Sequence, residues 1–329
     1  MTMHKCLLGM AVLSGASLIS MPAFSASDFP SRAISLVVPY APGGTTDILA
    51  RLIAKSMGEI LKQPVVVENV SGAGGTIGTQ RVVKAAPDGY TLTFGNMGSM
   101  AANAPLYPSV GFDPVRDLQP VGLMATVPMV LAVSNASGVE SLQSLINTMK
   151  QKPGTFNFGS GGPGTTNHLA AAMFLYLSGT KAEIIQYRGA GPAITDLMAG
   201  QVEVVIDQTL TMVPLHTDKR ARALAVSGPT RIGSANDVPT FAEAGLPTFD
   251  LTVWNAIAAP RGTPAPVIET LATALASALD SPEVAERLVQ FSAAAPKGDQ
   301  RGPKALGELI ESDTTRLSEL IKAAGIQTN

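Results

Sequence analysis

The sequence predicts an α/β fold, and three observations carry that expectation. Short apolar runs alternate with stretches whose apolar residues recur at helical spacing. Three glycine-rich turns each join such a run to such a stretch, as strand-to-helix connections require. The chain has 329 residues, 46% of them hydrophobic and 15% charged, enough for two domains with real cores.

The elements follow in order. Ala33–Val38 reads as a buried strand, closed by Pro42-Gly43-Gly44. Thr45-Thr46-Asp47 offers N-capping side chains to a helix carrying Ile48, Leu49, Leu52, Ile53, Met57, Ile60 and Leu61. Val65-Val66-Val67 is the next strand, followed by Ser71-Gly72-Ala73-Gly74-Gly75 and a helix to about Ala85. Pro87-Asp88-Gly89 is a turn, and Tyr90 to Phe94 a third strand. A strand from about Val121 to Val133 leads to a helix from Ser141 to Lys150. Phe156-Asn157-Phe158 is a short strand, and Gly159 to Gly164 turns into a helix from Thr166 to about Leu177. Ile184 to Tyr187 is a strand, and Pro192 starts a helix ending at Gly200. Val202 to Ile206 and Ala223 to Val226 are strands. The remainder reads as mostly helical: Pro266 to Leu279, Pro282 to Phe291 and Lys304 to Ala324. This alternation implies sheets with helices on both faces.

The start of the chain reads as an address. His4-Lys5 precede an apolar run from Cys6 to about Ile19, Pro22 breaks it, and Ala23-Phe24-Ser25 places small residues at a cleavage site. This is the pattern of a secretory signal peptide spanning residues 1–25, cut before Ala26. The run is shorter than the roughly 20 residues a membrane span needs. Cleavage removes the single cysteine, Cys6, so no disulfide scaffold or cysteine metal cluster is expected. In a two-membrane bacterium the product is expected in the periplasm, away from ready ATP and nicotinamide cofactors. A formal charge of −2 without a basic patch argues against a nucleic-acid partner. A mean hydropathy of +0.24 excludes a disordered chain.

The three glycine turns span Pro42 to Asp47, Ser71 to Thr76, and Gly159 to Thr166. Glycine lets the backbone turn tightly and approach a ligand. The helix start behind it leaves unpaired N–H groups and a partial positive charge, a natural seat for an anion. One such turn is ordinary α/β structure; three in one chain, two with adjacent hydroxyls, point to a carboxylate or phosphate ligand. A hydrogen bond to a charged group nets about 1.5–3 kcal/mol and micromolar binding needs about 8 kcal/mol. A few such bonds suffice without any arginine.

Competing chemistries fail on residues. Gly72-Ala73-Gly74 with Gly78 departs from the dinucleotide fingerprint, because Ile77 holds the third glycine position. No glycine turn carries the lysine of a phosphate-binding P-loop. Phe158 stands where a nucleophile elbow around Ser160 needs glycine. His168 and His216 lie far apart, without a carboxylate at metal-ligand spacing, so no metal is expected. His168 either touches ligand or makes a structural hydrogen bond to backbone, the second being favoured. His216, in His216-Thr217-Asp218-Lys219-Arg220, reads as surface. Asp207 either faces ligand from the loop after its strand or caps the next helix.

Val38 to Asp47 with Ala50-Arg51, Val67-Glu68-Asn69 with Gly72 to Gly75, and Ala86 to Tyr90 form a set with later segments. These are Gly159-Ser160-Gly161 with Thr166 and His168-Leu169, Tyr187-Arg188-Gly189 with Gly191-Pro192-Ala193, Asp196-Leu197 with Gly200-Gln201-Val202, and Trp254 with Ala259 to Pro264. In number and order the set resembles the substrate-binding proteins of tripartite tricarboxylate transporters, the Bug or TctC-like family, over the whole mature chain. The resemblance implies a type II periplasmic binding protein fold: two α/β domains joined by two crossing strands, closing on ligand like a clamp. One domain would hold residues 28–125 and 255–329, the other 126–254, with crossings near Ala125-Thr126 and Val253-Trp254. The ligand would be a small carboxylate, a di- or tricarboxylate, aromatic acid or amino acid. The partner would be the permease subunits of a tripartite tricarboxylate transporter, with the receptor a monomer that needs no cofactor and catalyses nothing.

Carried onto this chain, the resemblance assigns Tyr40, Gly43, Gly44, Thr45, Asp47, Ala73, Gly74 and Ser99 to one wall of a ligand site. It assigns Ser160, Gly164, Thr165, Thr166, Gly189, Ala190 and Asp207 to the other. Asp47 near an anion is penalised, so it either caps its helix, the favoured reading, or meets an ammonium. Arg188 either pairs with a second carboxylate or points to solvent. Glu203 stands where the family often has Asp, a strand-edge position. Met97 and Met100 either line an apolar pocket or pack in the core, the second being favoured. The rival readings are an exported α/β hydrolase or lyase, and a clamp that serves a sensor kinase.

Overall fold

The computed structural model describes residues 29–107 and 110–326. The expected signal peptide and its cleavage before Ala26 lie outside these residues.

The chain opens with β1 (Ile34–Val38), α1 (Thr45–Leu61), β2 (Val65–Asn69), α2 (Thr76–Val83) and β3 (Thr91–Asn96). A π-helical turn at Gly98–Ala102 and short helices α3 (Asn103–Leu106) and α4 (Pro114–Asp117) lead to the long strand β4 (Leu118–Val133). Then come α5 (Leu142–Gln151), β5 (Asn157–Ser160), α6 (Thr166–Ser178), β6 (Glu183–Gln186), α7 (Ala190–Ala199), β7 (Val204–Gln208), α8 (Thr209–Thr217) and β8 (Arg222–Val226). The chain closes with β9 (Thr252–Pro260), α9 (Ala265–Leu279), α10 (Pro282–Gln290) and α11 (Gly302–Ala324).

The strands form one mixed sheet in the order β2-β1-β3-β9-β4-β7-β5-β6, with β8 also pairing β4. β1, β2 and β3 are parallel, as are β5, β6 and β7. The joint between these two halves is antiparallel: β4 pairs β9 from Leu118 to Pro128, then β7 and β8 from Met129 onward. Thr126 pairs Trp254 and Val127 pairs Val253, so the two segments that connect the halves are neighbours in one ladder.

α1 shows why the local sequence folds as it does. Leu49, Ala50, Ile53, Ala54 and Met57 are buried on one face, while Arg51, Lys55 and Glu59 are exposed on the other. Burial of Leu49, Ile53 and Met57 contributes roughly 1.5–3 kcal/mol each. Lys62, at φ 55°, ends the helix in the left-handed conformation. The first half packs α1 and α9 against β1 and β3, through Ile34, Leu36, Phe94 and Leu271. α11 crosses back over β4, carrying Leu306, Ile310, Leu317 and Ile321 into a core shared with Phe158, Phe174 and Trp254.

Three expectations need correction. Gly44, not a hydroxyl residue, is the N-cap of α1, and no side chain caps it. α7 starts at Ala190, two residues before Pro192, because Gly189 supplies the turn. β9 contains Val253-Trp254, where the resemblance implies the second crossing, and Val253–Pro260 is buried on both faces, so it shows no alternation. His216 is not simply surface: its Nε2 lies 2.9 Å from Asp237 Oδ2 and its Nδ1 accepts from Ala223 N. Met97 and Met100 are core residues, and Glu203 Oε2 accepts from Asn157 N at 2.7 Å, holding the start of β5.

Candidate functional site

In open parallel sheets ligands sit beyond the carboxyl ends of the strands. Here the loops after β1, β2, β5, β6 and β7 meet there and enclose a cavity of about 430 Å³ between the two halves. The N-termini of α1, α6, α7 and α8 all open into it.

The loop after β1 is held by a polar cluster. Asp47 accepts from Gly43 N at 3.0 Å and from Asn69 Nδ2 at 2.9 Å. Arg51 grips its carboxylate with two bonds, Nε to Oδ2 at 3.1 Å and Nη2 to Oδ1 at 3.0 Å. Burial opposes ionisation of Asp47, but the bonds from Arg51, Gly43 and Asn69 outweigh it and hold the carboxyl below its usual range. Asp47 therefore neither caps the helix end nor stands free for an ammonium. It ties the glycine turn to β2.

That pairing carries a pH signature. A depressed folded-state pKa contributes stability that is present above the unfolded value, about 3.9, and lost as pH falls through the folded value. Asp47→Asn is expected to lower Tm at pH 7 by a few degrees. This reflects about 1–2 kcal/mol once solvent screening of the half-exposed Arg51 is allowed for. Thermal melts at stepped pH should show the gap to wild type closing below about pH 4. A gap that persists unchanged into acid would contradict this account.

The turn after β2 is compressed. Gly72, Ala73, Gly74 and Gly75 all have positive φ, including the non-glycine Ala73 at 44°. The turn presses against the loop after β5: a Cβ on Gly74 would stand 2.5 Å from Pro163 O. Asn103 Nδ2 donates to Gly74 O at 2.7 Å, and Tyr107 OH donates to Pro163 O at 2.7 Å. The Gly74–Pro163 contact and the Tyr107 bond thus join the two halves along the cavity's edge.

Across the cavity, Thr165 caps α6 by accepting from His168 N, leaving the first amides of that helix to the cavity. Thr166 lines the cavity beside it. Gly189 caps α7 without a side chain. On the near side, Thr45 Oγ1 is buried and has no hydrogen-bond partner among the described residues. A buried hydroxyl left unpaired costs roughly 1–3 kcal/mol.

The wall holds three charged residues, Asp47, Arg188 and Asp207. Asp47 is neutralised by Arg51. Asp207 accepts from Thr211 Oγ1 at 2.8 Å, and burial raises its pKa although bonds from Thr211, Gln208 and Asn167 oppose this. Arg188 is exposed at the rim and forms no ion pair among the described residues.

Of the residues expected in the site, Tyr40, Gly44, Thr45, Asp47, Ala73, Gly74, Thr165, Thr166, Gly189, Ala190 and Asp207 line the cavity. Gly43, Ser99, Ser160 and Gly164 do not. Gly43 N is spent on Asp47; Ser99 Oγ donates to Asn96 O; Ser160 Oγ bonds within its own turn; Gly164 packs under Asn103 and Tyr107. Asp207 does not cap α8, whose N-cap is Gln208. His168 stands behind the wall: its Nδ1 accepts from Gly164 N at 3.2 Å, and burial lowers its pKa, keeping it neutral. Asn167, Tyr187 and Gln208 also line the cavity and were not anticipated. Among the described residues no group of histidine, cysteine and acidic side chains could hold a metal, and no helix is long and apolar enough to cross a membrane.

Two α/β halves joined through paired strands, with helix N-termini facing each other across the cleft, define a periplasmic binding protein fold. The chain belongs to the TctC family, the tripartite tricarboxylate transporter family receptors, whose model matches residues 49–326. It is similar to the periplasmic binding protein BugD, at 34% identity and TM-score 0.87 over 92% of this chain and 100% of that one. It is similar to MatC of Rhodopseudomonas palustris, solved with bound malate, at 34% identity and TM-score 0.86 over 89% and 100%. A second protein of that organism, Rpa4515, solved with adipate, is 35% identical with TM-score 0.86 over 91% and 99%. The family consists of transport receptors, not enzymes.

Proposed function

We propose that this protein captures a small dicarboxylate in the periplasm and delivers it to the permease subunits of a tripartite tricarboxylate transporter. The observation that carries the reading is the uncapped start of α1, with its Thr45 hydroxyl unpartnered among the described residues, lining one cavity with the first turns of α6 and α7. One ligand carboxylate seats there. Arg188, which forms no ion pair among the described residues, takes the second. Malate and adipate, bound by two relatives, both carry two carboxylates.

In this reading the halves move as domains, 28–125 with 255–329 against 126–254, hinged where β4 and β9 pair. The signal peptide exports the chain, which acts as a monomer without a cofactor. A sensor-kinase partner is the second possibility, and pull-down of membrane partners with and without ligand separates it from a permease.

A thermal-shift screen of protein stripped by unfolding and refolding tests the ligand class. Ligand at about 100 times its Kd adds roughly 2.7 kcal/mol, or several degrees. Shifts with dicarboxylates are expected; shifts with nucleotides and none with any carboxylate would overturn the reading. Arg188→Met is expected to weaken a dicarboxylate about tenfold or more, while leaving its monocarboxylate analogue within about twofold. Equal losses for both ligands by calorimetry would remove Arg188 from the site.

A further inference from the structure

The centre of the sheet holds a chain of buried polar side chains that crosses from one half of the molecule to the other. Asn255, fully buried on β9 between β3 and β4, is its hub. A side-chain amide at such a position is costly unless its polar atoms are paired. Here they are. Thr46 Oγ1 donates to Asn255 Oδ1 at 3.1 Å, and Asn255 Nδ2 donates to Gln208 Oε1 at 3.3 Å. Thr46 lies in the first turn of α1 and Gln208 at the start of α8, and both line the cavity from opposite halves.

The direction of this chain follows from one fixed donor. Gly98 N–H can only donate, and it donates to Asn96 Oδ1 at 2.9 Å. Tyr40 OH donates to the same oxygen at 2.6 Å, and burial raises the phenol's pKa, so it keeps its proton. Asn96 must therefore present its NH₂ to Thr46 Oγ1, 3.1 Å away. The Thr46 hydroxyl, accepting there, has one proton left, and it goes to Asn255 Oδ1. Asn255 must then turn its NH₂ toward Gln208, whose Oε1 accepts. Each amide has one orientation that satisfies all its neighbours. Gln208 Nε2 makes no hydrogen bond among the described residues.

We propose that Gln208 is a ligand-specificity residue: the relay Asn96–Thr46–Asn255 locks its amide so that the NH₂, a donor, faces the bound ligand. The amide of a free glutamine flips to suit donor or acceptor. This one is committed, so the second half of the molecule recognises an acceptor-rich ligand through a polarity set in the first half. Asn255 is a positioning residue that acts through Gln208. The proposal rests on the carboxylate reading of the cavity only for the identity of the acceptor.

Two measurements test it, one without ligand. In ¹⁵N-labelled unliganded protein, the Asn255 side-chain protons are expected to be protected from water exchange and to show NOEs to Gln208. The Gln208 side-chain protons are expected to exchange with water. The reverse pattern would overturn the relay whatever the ligand is. The second measurement titrates malate and adipate against wild type, Gln208→Glu and Asn255→Asp. In Asn255→Asp the ionised carboxylate accepts from Thr46 but cannot donate, so Gln208 must turn its NH₂ inward and its oxygen to the ligand. Both variants are expected to bind at least tenfold more weakly, with far-ultraviolet circular dichroism matching wild type at the titration temperature. Wild-type affinity in both would overturn the proposal and leave the carboxylate reading intact. No binding by wild type itself would count against malate and adipate, and the NMR result alone then decides the relay.

Discussion

Gly74→Val is expected to abolish ligand capture while leaving the protein folded. The contact it breaks is between the halves, not within one. Gly74 lies after β2, and the atoms its Cβ would strike belong to the loop after β5: Pro163 O at 2.5 Å and Gly164 Cα at 3.0 Å. Backbone atoms cannot rotate aside, so the two loops must separate. The φ of 62° adds a local cost of roughly 1–2 kcal/mol for a branched residue. That cost lowers Tm by several degrees at most, and the cores of each half are untouched. Separation of the loops removes the facing N-termini of α6 and α7 from the ligand held at α1. An affinity loss of at least a hundredfold is expected by calorimetry, together with a more extended particle by small-angle scattering in the presence of ligand. Wild-type affinity with an unchanged scattering profile would show that this contact does not govern closure. Gly44→Val is the control: a Cβ there meets nothing within 4 Å, so it intrudes only on the cavity.

The fold was legible where the chain punctuates itself. Glycine turns after β1, β2 and β5 marked strand-to-helix joints, and the apolar face of α1 could be read residue by residue. What escaped was structure made by long-range pairing. Periodicity alone does not show β9, because Ala256 and Ala258 enter one core and Ile257 and Ala259 the other, which erases the period of two. The relay escaped for a related reason: Thr46 and Asn255 are 209 residues apart, and an asparagine inside an apolar run announces nothing about its partner. The same limit sorted the site residues. Thr45 and Thr166 follow from being first in their helices. Ser99 and Ser160 looked equally suitable as hydroxyls near glycine turns, but each closes a bond inside its own loop. Asp47 misled in an informative way. Its place near an anion site suggested capping or an ammonium, whereas its work is to pin Gly43 and recruit Arg51 and Asn69.

Thr45→Val is expected to separate stability from binding with opposite signs. In the unliganded protein Thr45 Oγ1 is buried without a partner, so replacing the hydroxyl with a methyl of the same shape removes a desolvation penalty. The unliganded Tm should stay level or rise by a degree or two. Val is a somewhat poorer residue than Thr at no position of the first helical turn that matters here, since Gly44 already serves as an uncapped N-cap. In the proposed liganded state the same hydroxyl would donate to the carboxylate, a charge-assisted bond of about 1.5–3 kcal/mol. Its loss corresponds to roughly a tenfold to hundredfold rise in Kd. Thr45→Ser, which keeps the donor, should restore most of the affinity and none of the stability gain. The emission of the single tryptophan, Trp254, bonded to Asp313 Oδ2 at 2.6 Å beside the hinge pairing, offers a titration signal common to all three proteins. A Thr45→Val protein that loses stability but binds normally would place the hydroxyl in the folding of α1 rather than in the site. A protein that loses both equally would make it structural with a secondary effect on the ligand. Only the crossed result, tighter fold and weaker grip, fits a hydroxyl that the fold leaves unsatisfied so that a carboxylate can satisfy it.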